Sequence, residues 1–250
     1  MLRKRVIPCL QLLDDTLVKT VKFKKPAYIG DPINTVRIFN ELEVDELCFL
    51  DIRATTNNAE PSWDILEQIT NECFMPLSYG GGIKSVDTAK RLFSMGFEKV
   101  VINSSAHSNS GLIKEIATMY GNQAVVGSMD VKKDLFGRSK VYINNGKSAI
   151  KLNPKDWANN LVEQGAGEIL LTSIDNEGTW KGYDTILINE IANSVDVPVI
   201  AHGGAGGIDD INNLFEETNA SAAGIGSMVV YQKKGMGVLV NFPDSNSIIR

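Results

Sequence analysis

One stretch of the chain occurs twice and decides the fold: residues 46–51 read Glu-Leu-Cys-Phe-Leu-Asp, and about 123 residues later residues 168–175 read Glu-Ile-Leu-Leu-Thr-Ser-Ile-Asp. Each copy is followed by an apolar run that ends in glycines, at 78–82 and at 201–204. A third run in each copy ends in small polar residues, Asn-Ser-Ser and Gly-Ser. Solenoid repeats recur every 20–50 residues, so this longer period indicates two duplicated half-barrels.

Short β-rich runs alternate with amphipathic helical stretches along the whole chain, which is typical of a parallel sheet made of βα units. The predicted strands are nearly continuous apolar runs, as strands covered on both faces are. They lie at 5–10, 46–51, 75–79, 99–102, 124–129, 168–173, 198–201 and 222–226. Predicted helices include 32–42, 63–73, 86–95, 157–164 and 209–215. Because 250 residues suit such a fold, we predict an α/β protein with a single (β/α)8 TIM barrel over residues 1–250.

Composition restricts the class of protein. The net charge of −5 disfavours a nucleic-acid surface, which is usually basic. The three cysteines have no metal-ligand spacing and are typical of a reduced, cytoplasmic protein. No apolar run is long enough to span a bilayer, and the first residues lead directly into a strand rather than a signal peptide. We predict no metal, no cofactor, no nucleic acid and no membrane partner.

Two segments interrupt the alternation of strands and helices. Residues 14–30 have no helical period and four lysines, Lys19 among them. A connection of this length predicts a lid or binding loop, with a solvated basic loop as the alternative. Residues 132–148 contain Asn145-Gly146, which is typical of a two-residue turn and predicts a β-hairpin on the top face.

The chemistry of this fold lies at the C-terminal ends of the strands, which we call the mouth. Glycines there let backbone amides approach a ligand, and small polar residues at helix N-termini suit an anion. Two matching phosphate cradles are therefore predicted, unless the glycines only form tight turns. Their residues are Gly82, Asn103 and Ser104 in the first and Gly204, Gly226 and Ser227 in the second.

Acid–base chemistry at the mouth depends on few groups. Asp130 follows strand five and is a candidate general acid or base. The equivalent position after strand one is Gln11, an amide that exchanges no proton near neutral pH. Asp51 adds acidity or caps the next helix.

Three further polar residues are expected at the same mouth: Thr172, Glu177 and His202. We interpret His202 first as a binding residue and second as a proton-transfer group, because its titration range suits such transfer. The other histidine, His107, is expected on a helix.

At the opposite end of the predicted barrel, charged residues stand where strands begin: Arg5, Glu46, Lys99 and Glu168. Two of these residues are positively charged and two are negatively charged, so we predict that they form a ring of ion pairs. Residues at this face usually serve stability, so a structural ring and a polar gate are both open interpretations.

Nearly the whole chain resembles the cyclase subunit family of imidazole glycerol phosphate synthase. The resemblance rests on Lys4-Arg5-Val-Ile-Pro-Cys-Leu10, Gly30-Asp31-Pro32, Phe49-Leu50-Asp51, Gly80-Gly81-Gly82-Ile83, Ile102-Asn103, Asp130, residues 165–175, Gly178-Thr179, Gly182-Tyr183-Asp184 and residues 203–206.

The resemblance implies a barrel that receives ammonia through its core from a glutaminase subunit docked on the bottom face. It also implies cyclisation of a substrate with a phosphate at each end. Arg5, Glu46, Lys99 and Glu168 match the ammonia gate of the family. Lys19 matches a functional lysine on the mobile first loop, and Gly178 joins the second cradle.

Four positions depart from the family pattern. Gln11 replaces one of a pair of catalytic aspartates, Glu177 replaces another aspartate, His202 stands where serine is usual, and Thr20 replaces a glycine. The chain therefore resembles more closely the paralogues of surface-polysaccharide and flagellin-sugar pathways. In those pathways they are thought to pass ammonia towards an ATP-dependent enzyme that makes an acetamidino group.

Three hypotheses follow. The first is an ammonia-channelling subunit for amidino-sugar formation, with histidine-pathway cyclisation as its alternative. The second is a non-catalytic scaffold that binds phosphorylated ligands and activates the glutaminase. The third is another barrel enzyme that uses both cradles, such as the related sugar isomerase, which also needs two aspartates.

Overall fold

A computed structural model describes residues 3–249, so residues 1, 2 and 250 of the predicted domain lie outside the described residues. Within the described part, the strands are β1 (Arg5–Leu13), β2 (Thr16–Val21), β3 (Lys24–Gly30), β4 (Leu47–Asp51), β5 (Leu77–Gly80), β6 (Lys99–Ile102), β7 (Val125–Lys133), β8 (Ser139–Ile143), β9 (Ser148–Ala149), β10 (Glu168–Ser173), β11 (Val199–His202) and β12 (Ala222–Ile225). The helices are α1 (Pro32–Glu41), α2 (Trp63–Glu72), α3 (Val86–Met95), α4 (Ser104–Ser108), α5 (Leu112–Tyr120), α6 (Pro154–Glu163), α7 (Thr185–Ala192), α8 (Ile208–Glu217) and α9 (Ser227–Val230).

Eight of these strands form a closed parallel barrel in the order β1, β4, β5, β6, β7, β10, β11, β12. The ring closes because β12 pairs with β1, Arg5 opposite Ala222, and because β7 pairs with β10, Ser128 opposite Leu170. The predicted (β/α)8 barrel is confirmed. Each predicted barrel strand is present, with ends that shift by up to four residues.

Local capping explains where the helices begin. In α1 the Asp31 side chain accepts a hydrogen bond from the Asn34 amide at 2.8 Å, and Pro32 occupies the first turn as predicted. Helix α6 begins three residues before the predicted start, because Asn153 caps it and Pro154 follows. His107 lies on α4, as predicted.

The segment 14–30 is not an irregular loop, which corrects the sequence-based expectation. It forms the β2–β3 hairpin, which extends β1 antiparallel, Gln11 opposite Val18. The turn consists of Lys22 and Phe23, both with positive φ (54° and 59°). Such turns usually contain Asn or Gly, so the sequence carried no turn signal. Residues 17–20 of β2 are buried, residues 24–28 of β3 are exposed, and Phe23 in the turn is half-buried.

A second hairpin follows β7, at the position in the second half that corresponds to the first hairpin. Strand β8 pairs antiparallel with β7 and then with β9. The predicted hairpin around Asn145-Gly146 is present, but its loop has four residues, 144–147, rather than two, because Ile143 pairs with Ser148. We call these the first hairpin (β2–β3) and the second hairpin (β8–β9).

The interior of the barrel is layered, since inward-facing residues recur at every second position along a strand. On β10, Glu168 lies at the bottom, Leu170 above it and Thr172 at the mouth. Between the bottom and the mouth lies a separate apolar cluster, which we call the neck. Its members are Ile7, Cys9, Cys48, Val101, Val126, Leu170, Ile200 and Ala222.

Candidate functional site

A cavity of about 110 Å³ opens at the mouth, between the ends of β1, β4–β7, β10 and β11. Most of the predicted mouth residues line it: Gln11, Asp51, Gly82, Asn103, Ser104, Asp130, Thr172 and His202. Phe23 and Asn145, from the two hairpins, line it as well and were not predicted. No sequence signal pointed to them, because their position depends on how the hairpins fold back.

Asp130 is buried at the edge of this cavity. Burial raises its pKa to about 7, Glu177 adds to that rise, and hydrogen bonds from Asn103 and Thr172 oppose it. The Asn103 side-chain amide donates to the Asp130 carboxylate at 2.9 Å. A carboxyl group with this pKa can both accept and donate a proton at neutral pH. This pKa suits the general acid–base role that is predicted for Asp130, and the role itself stays a prediction.

Gln11 occupies the matching end of β1 and is buried. Its Oε1 accepts the Thr20 backbone N–H at 2.9 Å, and its Nε2 lies 3.0 Å from the Thr20 hydroxyl oxygen. Both polar ends of this amide thus hold the first hairpin to the mouth. Gln11 therefore holds the first hairpin in place, and of the two equivalent strand ends in the described mouth only that of β7 has a carboxyl group.

Glu177 and Lys19 form a buried ion pair beside Gln11. The Glu177 carboxylate also accepts the Thr20 hydroxyl at 3.0 Å and the Phe23 N–H at 3.1 Å. Lys19 was expected on a mobile loop. The structure places it instead on β2, 6% exposed, because the hairpin buries this side of β2.

His202 lies near this pair and is buried. Burial lowers its pKa to about 4; the Lys19 charge adds to the decrease and Glu177 opposes it. Its Nδ1 is 3.2 Å from the Thr172 hydroxyl oxygen. The imidazole is therefore neutral at physiological pH, which suits a hydrogen-bonding residue and not a cationic anchor for an anion.

Asp51 is held by its own loop. One carboxylate oxygen accepts the N–H groups of Arg53 and Ala54, each at 2.8 Å. Burial raises the pKa of Asp51, and these two bonds oppose the rise. Because α2 begins only at Trp63, Asp51 caps a turn and not the following helix.

The first cradle faces the open cavity. Gly82 has φ of +69°, and a Cβ there would lie 3.0 Å from the Ala54 Cβ, so only glycine fits without strain. The Ser104 hydroxyl accepts the Asn144 N–H of the second hairpin at 2.9 Å. Helix α4 has five residues, so its dipole is small and the amides and hydroxyls themselves would have to hold an anion.

The second cradle is narrow at its centre but adjoins a larger hollow. Lys19, Gly178 and Ser227 also border a space of about 660 Å³, which Lys25, Lys181 and Lys234 line as well. Gly178, Gly204, Gly226 and Ser227 do come together, around a space of about 10 Å³ that Lys19 and Glu177 also line. A Cβ on Gly204 would lie 2.0 Å from the Gly182 carbonyl oxygen. Gly204 is therefore required for chain packing, whatever its role in binding.

The four charges at the bottom form the predicted ring of ion pairs. The Glu46 carboxylate pairs with the Arg5 guanidinium at 2.7 Å and with the Lys99 ammonium at 3.1 Å. The Glu168 carboxylate pairs with the Lys99 ammonium at 3.0 Å and also with the Arg5 guanidinium. Burial disfavours the Arg5 charge, but the two carboxylates raise its pKa above the ordinary value. The ring lies directly below the neck, and Arg5, Lys99 and Glu168 border a 460 Å³ hollow on the bottom face.

Among residues 3–249, no group of three or more His, Cys, Asp or Glu side chains is arranged to hold a metal ion. None of the described helices is both long and apolar enough to cross a membrane.

Comparison with known proteins gives a family. The profile of the histidine biosynthesis protein family matches residues 5–235. The chain is 51% identical over 248 residues to a Pseudomonas aeruginosa protein named "Putative imidazole glycerol phosphate synthase subunit hisF2", covering 99% of each. It is 40% identical over 231 residues to a Streptococcus mutans protein named "Imidazole glycerol phosphate synthase subunit HisF", covering 92% of each.

Proposed function

The chain belongs to the histidine biosynthesis protein family, and on that premise we propose that it is the ammonia-accepting barrel subunit of a glutamine amidotransferase. The observation that carries this proposal is the order of the layers in the barrel interior: a ring of four charges at the bottom, an apolar neck above it and a polar mouth. Ammonia would enter through the ring from a glutaminase subunit bound below. The proposed compartment is the cytoplasm, which the three free cysteines support.

The ring has the properties of a gate. Glu46 and Glu168 are each 4% exposed, so either one would be costly to leave without a cation. Opening the ring therefore needs a partner that offers new contacts to these side chains. A glutaminase docked over the bottom hollow supplies that opportunity.

The favoured role is amidino-group formation in surface-glycan biosynthesis, with an ATP-dependent enzyme as acceptor of the ammonia or of its product. Gln11 supports this role. Cyclisation in the histidine pathway uses a pair of catalytic aspartates, and here Gln11 stands in place of one of them, so that only Asp130 is left. The alternatives are histidine-pathway cyclisation itself, which the names of the relatives favour, and a phosphate-binding activator without turnover, which Gln11 favours.

The partner is tested with the purified chain and its cognate glutaminase. We expect a one-to-one complex in size-exclusion chromatography and stimulated glutamine hydrolysis. Glu46→Gln should change that stimulation, because it unbalances the ring. The control is Arg37→Gln, which breaks an exposed ion pair with Glu72 on the side of the barrel. Absence of association, or equal effects of both variants, would contradict the channelling proposal.

The reaction is tested with ammonia and the histidine-pathway bisphosphate. Loss of one acid–base group typically costs about 10²–10⁴-fold, so turnover should be lower than that of a two-aspartate cyclase by such a factor. Cyclisation at the rate of a two-aspartate enzyme would establish the histidine alternative instead.

A further inference from the structure

The turn between β7 and β8 exposes apolar side chains at the mouth end of the molecule. Four large apolar side chains among residues 3–249 are more than four-fifths exposed, and two of them, Leu135 at 101% and Phe136 at 81%, are neighbours in this turn. Ile186, at 81%, is a third. An ion pair at 3.0 Å between Lys133 and Asp184 ties the base of the turn to the start of α7, where Ile186 lies. We call Leu135, Phe136 and Ile186 the apolar corner.

The turn holds its apolar side chains in a fixed conformation. The Asp134 carboxylate accepts the N–H groups of Phe136 at 2.9 Å and of Arg138 at 3.0 Å. Backbone hydrogen bonds link Asp134 with Arg138 and with Gly137, which has φ of +77°. The Arg138 guanidinium lies over the Phe136 ring, 5.2 Å from its centre. The exposure of Leu135 and Phe136 thus belongs to an ordered turn, and clustered exposed apolar groups indicate an interaction surface.

Strand β7 carries this turn past the rim of the barrel. The pairing of β7 with β10 ends at Val131 opposite Ser173, whereas the pairing of β7 with β8 continues to Lys133 opposite Ser139. The turn therefore projects beyond the end of β10 on the mouth side. It points away from the bottom ring, where the glutaminase is proposed to bind.

Positive charge surrounds the apolar corner. Residues 132–151 contain six basic residues and one acidic residue, so the segment has a net charge of +5 in a chain of net charge −5. Lys132 and Lys140 stand directly opposite each other on β7 and β8, and neither forms an ion pair with any residue from 3 to 249. Like charges in such a cross-strand pair are destabilising. The pair therefore favours an anionic partner.

The size of the surface decides between two kinds of occupant. A stable protein interface takes about 800 Å² and about 20–30 residues from each partner, whereas the apolar corner offers three side chains. An anionic lipid surface needs less. A few inserted apolar side chains suffice there when lysines near the headgroups each strengthen binding by about fivefold.

We propose that the apolar corner and its lysines are a peripheral docking site for an anionic phospholipid surface. Leu135, Phe136 and Ile186 would enter the boundary between headgroups and acyl chains, and Lys132 and Lys140 would contact the phosphates. This proposal goes beyond the proposed function and departs from the sequence-based prediction of no membrane partner. That prediction depended on the absence of a spanning segment, which a peripheral site does not need.

Vesicle flotation tests the proposal on the purified full chain. At about 0.1 M salt, phosphatidylcholine vesicles with about 40% phosphatidylglycerol should bind the chain at least tenfold more tightly than phosphatidylcholine alone, and about 0.5 M salt should release it. No binding to the anionic vesicles would overturn the proposal and favour an acidic protein surface as the occupant.

The apolar contribution is tested with a matched pair of variants. Leu135→Ser/Phe136→Ser should weaken vesicle binding by about tenfold or more. The control is Phe74→Ser, which removes an aromatic side chain that is 87% exposed between α2 and β5, at the bottom end. It should bind vesicles as wild type does. Equal losses in the variant and the control would overturn the proposal.

The charged contribution is tested in the same way. Lys132→Gln/Lys140→Gln should weaken binding to the anionic vesicles by about tenfold or more. Lys90→Gln/Lys114→Gln removes two charges from the outer helices α3 and α5 and should have little effect. Equal losses in both double variants would mean that the attraction is unspecific and would overturn the proposal.

Insertion itself has a spectroscopic test. Phe136→Trp places an indole in the turn, and its emission should shift to shorter wavelength when anionic vesicles are added, relative to wild type. Phe74→Trp, at the opposite end, should show no such shift. An unshifted Phe136→Trp emission on bound vesicles would overturn the proposal.

These outcomes are separate from those of the proposed function. Association with the glutaminase depends on the bottom face, so Leu135→Ser/Phe136→Ser should form that complex as wild type does. Vesicle binding without glutaminase association refutes the channelling proposal alone. Glutaminase association without vesicle binding refutes the docking site alone.

Discussion

The two half-barrels are built alike but differ at the mouth. In the first half, with β1 and β4–β6, the predicted cradle faces the 110 Å³ cavity, and β1 presents the amide of Gln11 there. In the second half, with β7 and β10–β12, β7 presents the carboxyl of Asp130, and the Lys19 side chain lies against the glycines of the predicted cradle. A duplicated architecture can thus give an asymmetric site without changing the barrel.

The hairpins that follow β1 and β7 show the same contrast. Each contacts the cradle of the opposite half: Lys19 lies in the second cradle, and Asn144 donates to Ser104 of the first. The first hairpin brings a charge that needs a counter-charge, whereas the second brings neutral amides. The charged contact lies at the centre of its cradle, whereas the neutral contact involves Ser104, which lines the open cavity.

The largest effect is expected from breaking the charged contact. Lys19→Met leaves Glu177 buried without a cation, and breaking such a pair costs about 3–5 kcal/mol. Urea unfolding should show this loss in the free energy of unfolding. The double variant Lys19→Met/Glu177→Gln should regain most of it, since no buried charge remains. Equal stability of the single and double variants would mean that the pair is not energetically coupled.

Asp130→Asn should stabilise the chain at high pH. The folded-state pKa of about 7 lies above the ordinary 3.8, so the folded chain retains a proton that the unfolded chain has released between these values. The Asp130 contribution to the unfolding free energy is therefore present below pH 4 and falls by up to about 1.4 kcal/mol per pH unit until pH 7. At pH 8 the variant should exceed wild type by about 2–4 kcal/mol.

His202 also makes the free energy of unfolding depend on pH, so Asp130→Asn has to be compared with wild type at each pH. Its folded pKa of about 4 lies below the ordinary 6.5, so its contribution is present above pH 6.5 and is lost as the pH falls towards 4. The two slopes oppose each other in that window. The difference between Asp130→Asn and wild type, taken at each pH by urea unfolding, isolates the aspartate; a difference independent of pH would contradict the raised pKa.

Gln11→Asp restores a carboxylate to the first half and should be harmful by itself. The new carboxylate would lie beside Glu177, whose Oε1 is 3.5 Å from the Gln11 amide nitrogen. The variant would also lose the hydrogen bonds that the Gln11 amide makes with Thr20. We expect a destabilisation of about 1–3 kcal/mol at pH 7. Adding Glu177→Gln should relieve it, and only that double variant should gain cyclisation of the histidine-pathway bisphosphate. A gain in the single variant would show that Glu177 does not oppose the second carboxylate.

The smallest effect is expected in the second hairpin. The Asn145 side-chain amide donates to the Ile52 carbonyl oxygen at 3.1 Å, and Asn145→Ala removes that one bond. The loss in unfolding free energy should be about 1 kcal/mol, well below that of Lys19→Met. A loss as large as in Lys19→Met would remove the distinction between the charged and the neutral hairpin.

Much of the barrel could be predicted because its signals are local. Apolar runs mark the strands, and charges just before them mark the bottom ring, which the structure confirms as ion pairs. The first hairpin escaped prediction because its Lys22-Phe23 turn adopts positive φ without the usual residues. The pairing of Lys19 with Glu177 could not be predicted either, since the two residues lie far apart in the sequence and meet only when the hairpin folds over the mouth.

The neck has a consequence for any nitrogen that passes through it. Its residues are apolar side chains and thiols, and moving an ion into such surroundings costs far more than moving a neutral molecule. If ammonia crosses the barrel as proposed, the neck would select it by its protonation state, because ammonium would be far costlier to admit than ammonia. Nitrogen would then reach the mouth as a free nucleophile even at a pH where nearly all dissolved ammonia is protonated. Protons released by chemistry above the neck would have to be taken up at the mouth, where the pKa of Asp130 is about 7.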